Sequence, residues 1–492
     1  MILLLSSLGV ALPHGSRSAR LAHAPVRGLD HTHRATESAA RRVTLTVESA
    51  HPGKRFVSGA IGLSVEVAQL TTRNMSAGHR SLVALMRLLG PGVLRIGGNS
   101  LDTSWWTSDR EAAPAWATNV ITPSDLSALR RLLEATGWRA IIGVDLGHFD
   151  PTRAASEARV ARHVVGSRLL GIEIGNEPNG YSTPSIGLRD SSYSVGTYLE
   201  ELSAYSTAIH AASPGIRLYG PELSTSSWLT AITSNSPAPF AALTEHYYPT
   251  TYSVARGACK ATAMPTAIDL LSPEVRQQET SMLEMLVAAG QAAHREARIS
   301  ETNTTTSCNT GGGPATSPVF ASALWAFDWV LRAASAGVTG LNFHGSFGLC
   351  TPASFSPMCA PSRTAEARGR VAPRPEYFGL LAARQLEGGR FIPVDIGEQG
   401  TPEDFTAYAT THSNGVTTLA IDNFATEGVT DFAVRMSGYS KATGKRLTGP
   451  SISATSGVTF GRRSTGTAIP KLGGAFRVAL APSSAIVMTF RK

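Results

Sequence analysis

The chain has 492 residues, 42% of them hydrophobic, with a mean hydropathy of −0.01 and a formal net charge of +8. These values exclude a disordered or membrane-embedded protein, and no apolar run approaches the roughly 18 residues that a bilayer span needs. Half of the charge falls in residues 13–42 and no Lys/Arg stripe interleaved with aromatics occurs, so nucleic acid is not an expected partner.

Residues 1–12 form an apolar stretch with no basic residue before it and read as a clipped secretory signal. Residues 13–42 are rich in Arg, His, Ala and Ser without periodicity, which reads as a disordered segment. Together they predict a secreted or cell-envelope protein; a misassigned start codon would account for both features. Val43 to Val47 then alternates with the period of a strand.

Eight strand-like runs follow: Ala60 to Val67, Val93 to Ile96, Ala140 to Leu146, Leu170 to Ile174, Ile216 to Tyr219, Leu243 to Tyr247, Arg298 to Ser300 and Gly340 to Phe343. Eight is the number that closes a (β/α)8 TIM barrel. Between them lie the helical patterns Ser124 to Ala135, Tyr198 to Ala212, Ser272 to Ala289 and Val319 to Ala336, with Ser124 and Ser272 as expected N-caps beside Pro123 and Pro273. Past about Leu386 the chain turns to short alternating segments: Phe405 to Thr411, Thr417 to Asp422, Phe432 to Met436, Val458 to Gly461 and Phe476 to Leu480. These predict a C-terminal β-sandwich, with Val43 to Val47 as an added strand. The expected organisation is α/β: a signal-like and disordered segment over 1–42, a sandwich strand within 43–57, a barrel over 58–385 and the sandwich over 386–492.

Within the barrel, Gly171 to Ile174 is apolar apart from Glu173 and runs into Gly175-Asn176-Glu177-Pro178. Pro178 cannot continue a β-ladder, so the strand is expected to stop there and leave Glu177 at the C-terminal mouth, where barrel enzymes build their sites. Glu301 closes the short run Arg298 to Ser300. Two carboxyl groups about 5 to 5.5 Å apart are what glycoside hydrolysis with retention requires, one to attack and one to donate a proton.

The ordered set Leu94 to Gly98, Gly175 to Pro178, Ser300 to Asn303, Asn342 to Gly345 and Pro375 to Gly379 resembles glycoside hydrolase family 79, which holds β-glucuronidases and heparanases. The likeness runs from about Val57 to the C-terminus. It implies a retaining clan A mechanism with Glu177 as acid/base and Glu301 as nucleophile, no cofactor, and a glucuronide or acidic oligosaccharide as substrate. It further implies that Arg95 and Tyr248 touch the nucleophile, that Asn176 bonds the sugar 2-OH, that Glu66 and Asp102 hold sugar hydroxyls with Asn99 beside them, and that backbone N–H groups of Gly311, Gly312 and Gly313 cradle a uronate. Phe347 stands near a place where several relatives carry a carboxylate-binding tyrosine.

Other readings remain at this stage. A barrel of the same clan acting on a neutral sugar, such as a β-xylosidase or arabinofuranosidase, would show the same Asn-Glu pair, and a silent carbohydrate-binding protein would keep the pocket. Arg95 is the expected partner of Glu173 or of Glu301, and His246 is expected on one face with Tyr248. Cys350 and Cys359 bracket a nine-residue step, which predicts a local disulfide and leaves Cys259 to pair with Cys308; four thiols in a reducing compartment is the other reading. No Cys-x-x-Cys spacing occurs, so no metal site is predicted. Oligomeric state is not legible.

Overall fold

The computed structural model describes residues 41–48, 50–234, 239–397, 403–461 and 466–492. The signal-like stretch and all but the last two residues of the segment expected over 13–42 lie outside the described residues. Those two, Arg41 and Arg42, belong to strand β1 (Arg41–Val47), which starts earlier than its alternation suggests.

The barrel strands are β2 (Ile61–Glu66), β3 (Val93–Gly97), β4 (Arg139–Val144), β5 (Leu169–Ile174), β6 (Leu218–Leu223), β7 (Phe240–Tyr247), β8 (Glu296–Thr302) and β9 (Leu341–Gly345). Each pairs in parallel with the next, and β9 pairs with β2 to close the barrel. All eight runs read from the sequence fall on these strands. Their residues are buried on both faces, as a parallel sheet packed inside and wrapped by helices demands.

The helices include α1 (Arg80–Leu88), α2 (Pro123–Thr136), α3 (Pro151–Val165), α4 (Val195–Ala212), α5 (Pro273–Ala292), α6 (Phe320–Ala336) and α7 (Pro375–Ala383). Ser272 caps α5 by accepting from Val275 N–H, as expected. Ser124 does not cap α2. Thr122 does, in a reciprocal box with Asp125, because Pro123 occupies the first helical position and the cap is the residue before it. Helix α6 is buried almost all round since it lies between the barrel and α7, and Gly379 permits that approach: a Cβ there would stand 2.0 Å from Ala323 O.

The strands from Arg390 onward, together with β1, form a sandwich. One sheet runs β11 (Val394–Ile396), β1, β14 (Thr430–Arg435), β16 (Ala475–Leu480); the other runs β10 (Arg390–Ile392), β12 (Phe405–Thr411), β13 (Thr417–Asn423), β17 (Ser484–Arg491), β15 (Lys441–Thr448). Val43 and Leu45 of β1 enter its core beside Phe432, Phe476 and Met488, so the N-terminal strand is taken up as expected. Val458 to Gly461 shrinks to the two-residue strand Thr459–Phe460. Strands β15 and β17 were not among the predicted segments: β15 contains few β-formers, and β17 is buried on both faces and so does not alternate. Among the described residues no helix is long and apolar enough to cross a membrane.

Candidate active site

A cleft of about 750 Å³ opens over the C-terminal ends of the barrel strands. Glu66, Asn99, Asp102, Asn176, Glu177, Tyr248, Glu301 and Gly311 all line it, so most of the residues named from the sequence converge here.

Strand β5 ends at Ile174, earlier than Pro178 alone would place it, because Gly175 turns away at φ 79°. Glu177 therefore reaches the cleft from a loop and not by alternation with Glu173. It sits in the left-handed region at φ 52°, ψ 49°, a conformation that costs a side-chain-bearing residue about 1 to 3 kcal/mol. Its N–H donates to Glu222 O at 2.9 Å, and Pro178 opens a 3₁₀ turn behind it, which together fix the loop.

Glu301 arrives by a different device. Strict alternation would put it on the face of Ile299, which packs into the large apolar cluster with the helices. The ladder to β7 pairs Ile299 with Glu245 and Glu301 with His246, so Ser300 is an extra residue, and this bulge turns Glu301 into the cleft. One oxygen each of Glu177 and Glu301 and a ring nitrogen of His246 lie within 4.8 Å of one another.

Arg95 is the centre of the charge network and is wholly buried. Its Nη1 is 2.5 Å from Glu301 Oε2, its Nε is 2.7 Å from Glu173 Oε1, and its Nη2 donates to Asn176 Oδ1 at 2.8 Å and to Glu222 Oε2 at 3.2 Å. Both partners considered for Arg95 are thus real, and a third, Glu222, joins them. The glycines of the Gly97-Gly98 turn make room for this: a Cβ on Gly97 would stand 2.2 Å from Glu173 Oε1, and one on Gly98 2.5 Å from the Glu66 carboxylate.

Burial alone would raise the Glu301 pKa, but the charges of His344, His246 and Arg95 and the Tyr248 hydrogen bond hold it well below the usual carboxylate range. Burial likewise opposes charge on His246, yet Glu301 and the hydrogen bonds to Glu177 and Glu222 push it up to about 10. Glu222 falls to about 2 against its burial, through Arg95 and His246. Glu173 goes the other way, to about 8, because burial outweighs Arg95 and Glu222 adds repulsion. Arg95, His246 and His344 thus stand among Glu173, Glu222 and Glu301, so the buried heart sets its cationic groups directly against its carboxylates. Glu177, His246 and Glu301 have the spacing of a metal site, but both ring nitrogens of His246 already meet carboxylates, Glu177 at 2.9 Å and Glu222 at 3.0 Å.

Around the rim, Glu66 accepts from Ser100 N–H at 2.7 Å, and Asn176 Nδ2 donates to Asn99 Oδ1 at 3.0 Å. Asp102 accepts from Tyr181 OH at 3.0 Å and Gly147 N–H at 3.1 Å; its burial and nearby Asp145 push its pKa well up. Of the glycine cradle expected for a uronate, two of the three N–H groups are engaged elsewhere. Only Gly311 lines the cleft, its N–H is turned to Ser307 Oγ at 3.2 Å, and that of Gly313 to Ser317 Oγ at 3.0 Å. Gly312 does not line the cleft, and a Cβ there would stand 2.1 Å from Ala353 O and 2.8 Å from the Phe355 ring. The Ser/Thr-rich loop supplies its own acceptors locally, so the N–H groups of Gly311 and Gly313 are engaged within it. Phe347 is buried and off the cleft, whereas Phe355 lines it.

The sequence reading missed Glu222, His344 as a partner of Glu66 and Glu301, and Lys260 on the rim. Glu222 carried a signal: Gly220-Pro221-Glu222 follows a strand run and mirrors the break after β5, but the run was ended at Tyr219. The disulfides are Cys259–Cys308 and Cys350–Cys359, and Cys308 lines the cleft.

No protein-family model matches this sequence, and no curated protein does. Solved structures do. A 4-O-α-L-rhamnosyl-β-D-glucuronidase from Fusarium oxysporum 12S, in complex with Rha-GlcA, aligns with a TM-score of 0.72 at 20% identity over 91% of this chain and 100% of that one. A GH51 arabinofuranosidase from Xanthomonas axonopodis pv. citri aligns at 0.67 and 14% over 92% and 100%. A GH30 endoxylanase from Clostridium papyrosolvens C71 aligns at 0.54 and 13% over 92% and 100%. At such identities what is shared is the fold, a TIM barrel with an attached β-sandwich.

Proposed function

We propose that this protein is a retaining glycoside hydrolase with Glu301 as nucleophile and Glu177 as acid/base, acting on β-D-glucuronides. The observation that carries the mechanism is the pair itself: carboxylate oxygens within 4.8 Å across an open cleft suit double displacement and leave no room for the attacking water of an inverting enzyme. Glu301, kept ionised by its cationic neighbours, attacks the anomeric carbon as the glycosidic C–O bond breaks. Glu177 gives its proton to the departing oxygen, and His246 Nδ1, 2.9 Å away, steadies the carboxylate that results. Water then enters, Glu177 takes its proton, and the glycosyl ester on Glu301 is cleaved. Asn176 keeps one amide hydrogen for the sugar 2-OH, since its single contact from Nδ2 goes to Asn99.

The glucuronide assignment rests on the ordered motifs and on the likeness to the rhamnosyl-glucuronidase. Two disulfides suit an oxidising compartment, which supports export. A neutral-sugar glycosidase is the second reading, favoured by the engaged N–H groups of Gly311 and Gly313 and by the arabinofuranosidase likeness.

NMR of an aryl β-D-glucuronide digest tests both parts. The first-formed sugar is expected to be the β-anomer. An initial α-anomer overturns the mechanism, and turnover confined to β-xylosides or arabinofuranosides moves the substrate to the second reading.

A further inference from the structure

With the N–H groups of Gly311 and Gly313 engaged within their own loop, a uronate in this cleft calls for a positive group in their place. The wall carries the carboxyl groups of Glu66, Asp102, Glu177 and Glu301, of which Glu66 and Glu301 are held ionised by their neighbours. A carboxylate brought among them is repelled unless a positive group meets it. Arg95 is buried and ringed by three carboxylates, and His344 is committed to Glu66 and Glu301. Lys260 is the one Lys or Arg among the lining residues; it is exposed, and no hydrogen bond or ion pair engages its ammonium among the described residues.

Its mounting is rigid where its head is not. Cys259, the preceding residue, exchanges backbone hydrogen bonds with Arg256 at 3.1 and 3.2 Å and is bonded to Cys308 on the loop that follows Glu301. On the other side Thr262 N–H donates to Ser253 O at 2.9 Å, and Ser253 Oγ accepts from Cys308 N–H at 2.9 Å. The root of the side chain is thereby fixed to the nucleophile's side of the cleft, while the four-carbon stem leaves three donors to aim. A held root lowers the ordering cost of each contact.

From this we infer that Lys260 binds the carboxylate of the sugar at the scissile bond and sets the preference for a uronic acid over its parent hexose. The inference rests on the glycosidase reading above, and its test separates the two. Wild type, Lys260→Ala and Lys260→Arg are assayed on 4-nitrophenyl β-D-glucuronide and β-D-glucoside. The glucuronide-to-glucoside ratio of kcat/KM is expected to fall about 10- to 150-fold in the alanine variant, mainly through KM, and to recover substantially in the arginine variant. An unchanged ratio in Lys260→Ala, with wild type still preferring the glucuronide, overturns the role of Lys260 and leaves the glucuronidase standing. A wild type without preference overturns both. The nitrophenyl group is neutral, so a loss seen only with carboxyphenyl glycosides would assign Lys260 to the leaving group and also overturn the inference.

Discussion

The Tyr248 hydroxyl donates to Glu301 Oε1 at 2.7 Å, from the residue that follows the last of β7. The contact orients the carboxylate while Arg95 takes its other oxygen. A charge-assisted hydrogen bond of this kind contributes about 1.5 to 3 kcal/mol. Tyr248→Phe is expected to lower kcat/KM by about 10- to 150-fold with little loss of fold stability, read by steady-state kinetics alongside thermal unfolding. Unaltered kinetics would remove Tyr248 from the site's machinery.

Azide separates the two carboxylates. Glu301→Ala should lose essentially all hydrolysis, and azide should give no β-glycosyl azide. Glu177→Ala should lose about 10²- to 10⁴-fold on substrates with poor leaving groups, retain activated aryl glycosides, and yield the β-azide. The opposite pattern would exchange their roles.

His246 gives a pH signature. Its value rises from about 6.5 unfolded to about 10 folded, so its contribution to stability is complete below about 6.5 and is lost as pH climbs through 10. His246→Gln, which never carries the charge, should therefore be most destabilised relative to wild type near pH 6, with the gap narrowing towards pH 10. Denaturant unfolding across that range checks it. A gap that stays constant would mean an uncharged His246.

Glu222 acts at the other end of the scale. Its folded value near 2 lies below the ordinary carboxylate value, so the stability it lends is present above about 4.5 and lost as pH falls towards 2. Glu222→Gln should flatten the acid limb of the wild-type stability curve and leave Arg95 less well balanced. Identical acid limbs would count against the ion pair.

Peptide mapping without reductant should recover Cys259–Cys308 and Cys350–Cys359 as linked pairs. The first closes a span of 49 residues, for which the chain-entropy estimate is about 4 kcal/mol. The Cys259→Ser, Cys308→Ser double variant should unfold at clearly lower temperature than wild type. Equal melting temperatures would mean that the bond adds no net constraint.

The eight strands and the two glutamates were legible because their signals are local. Apolar runs closed by Gly175 or Pro178, or followed by a polar loop as at Glu301, announce strand mouths within a few residues, and the family-like motifs sit on those breaks. The Arg95–Glu301 contact was reached through the family resemblance, but the rest of the charge network was not legible, since His246 meets Glu177 across 69 positions and Glu222 across 24, and nothing in either neighbourhood names the other. The face of Glu301 also lay beyond local reading: alternation puts it with Ile299, and only the ladder between β7 and β8 creates the bulge at Ser300 that turns it inward. The engagement of the Gly311 and Gly313 N–H groups was not legible either. A backbone N–H faces a ligand or a neighbouring hydroxyl according to how the loop folds on itself, and here Ser307 and Ser317, each four residues away, take the N–H groups of Gly311 and Gly313.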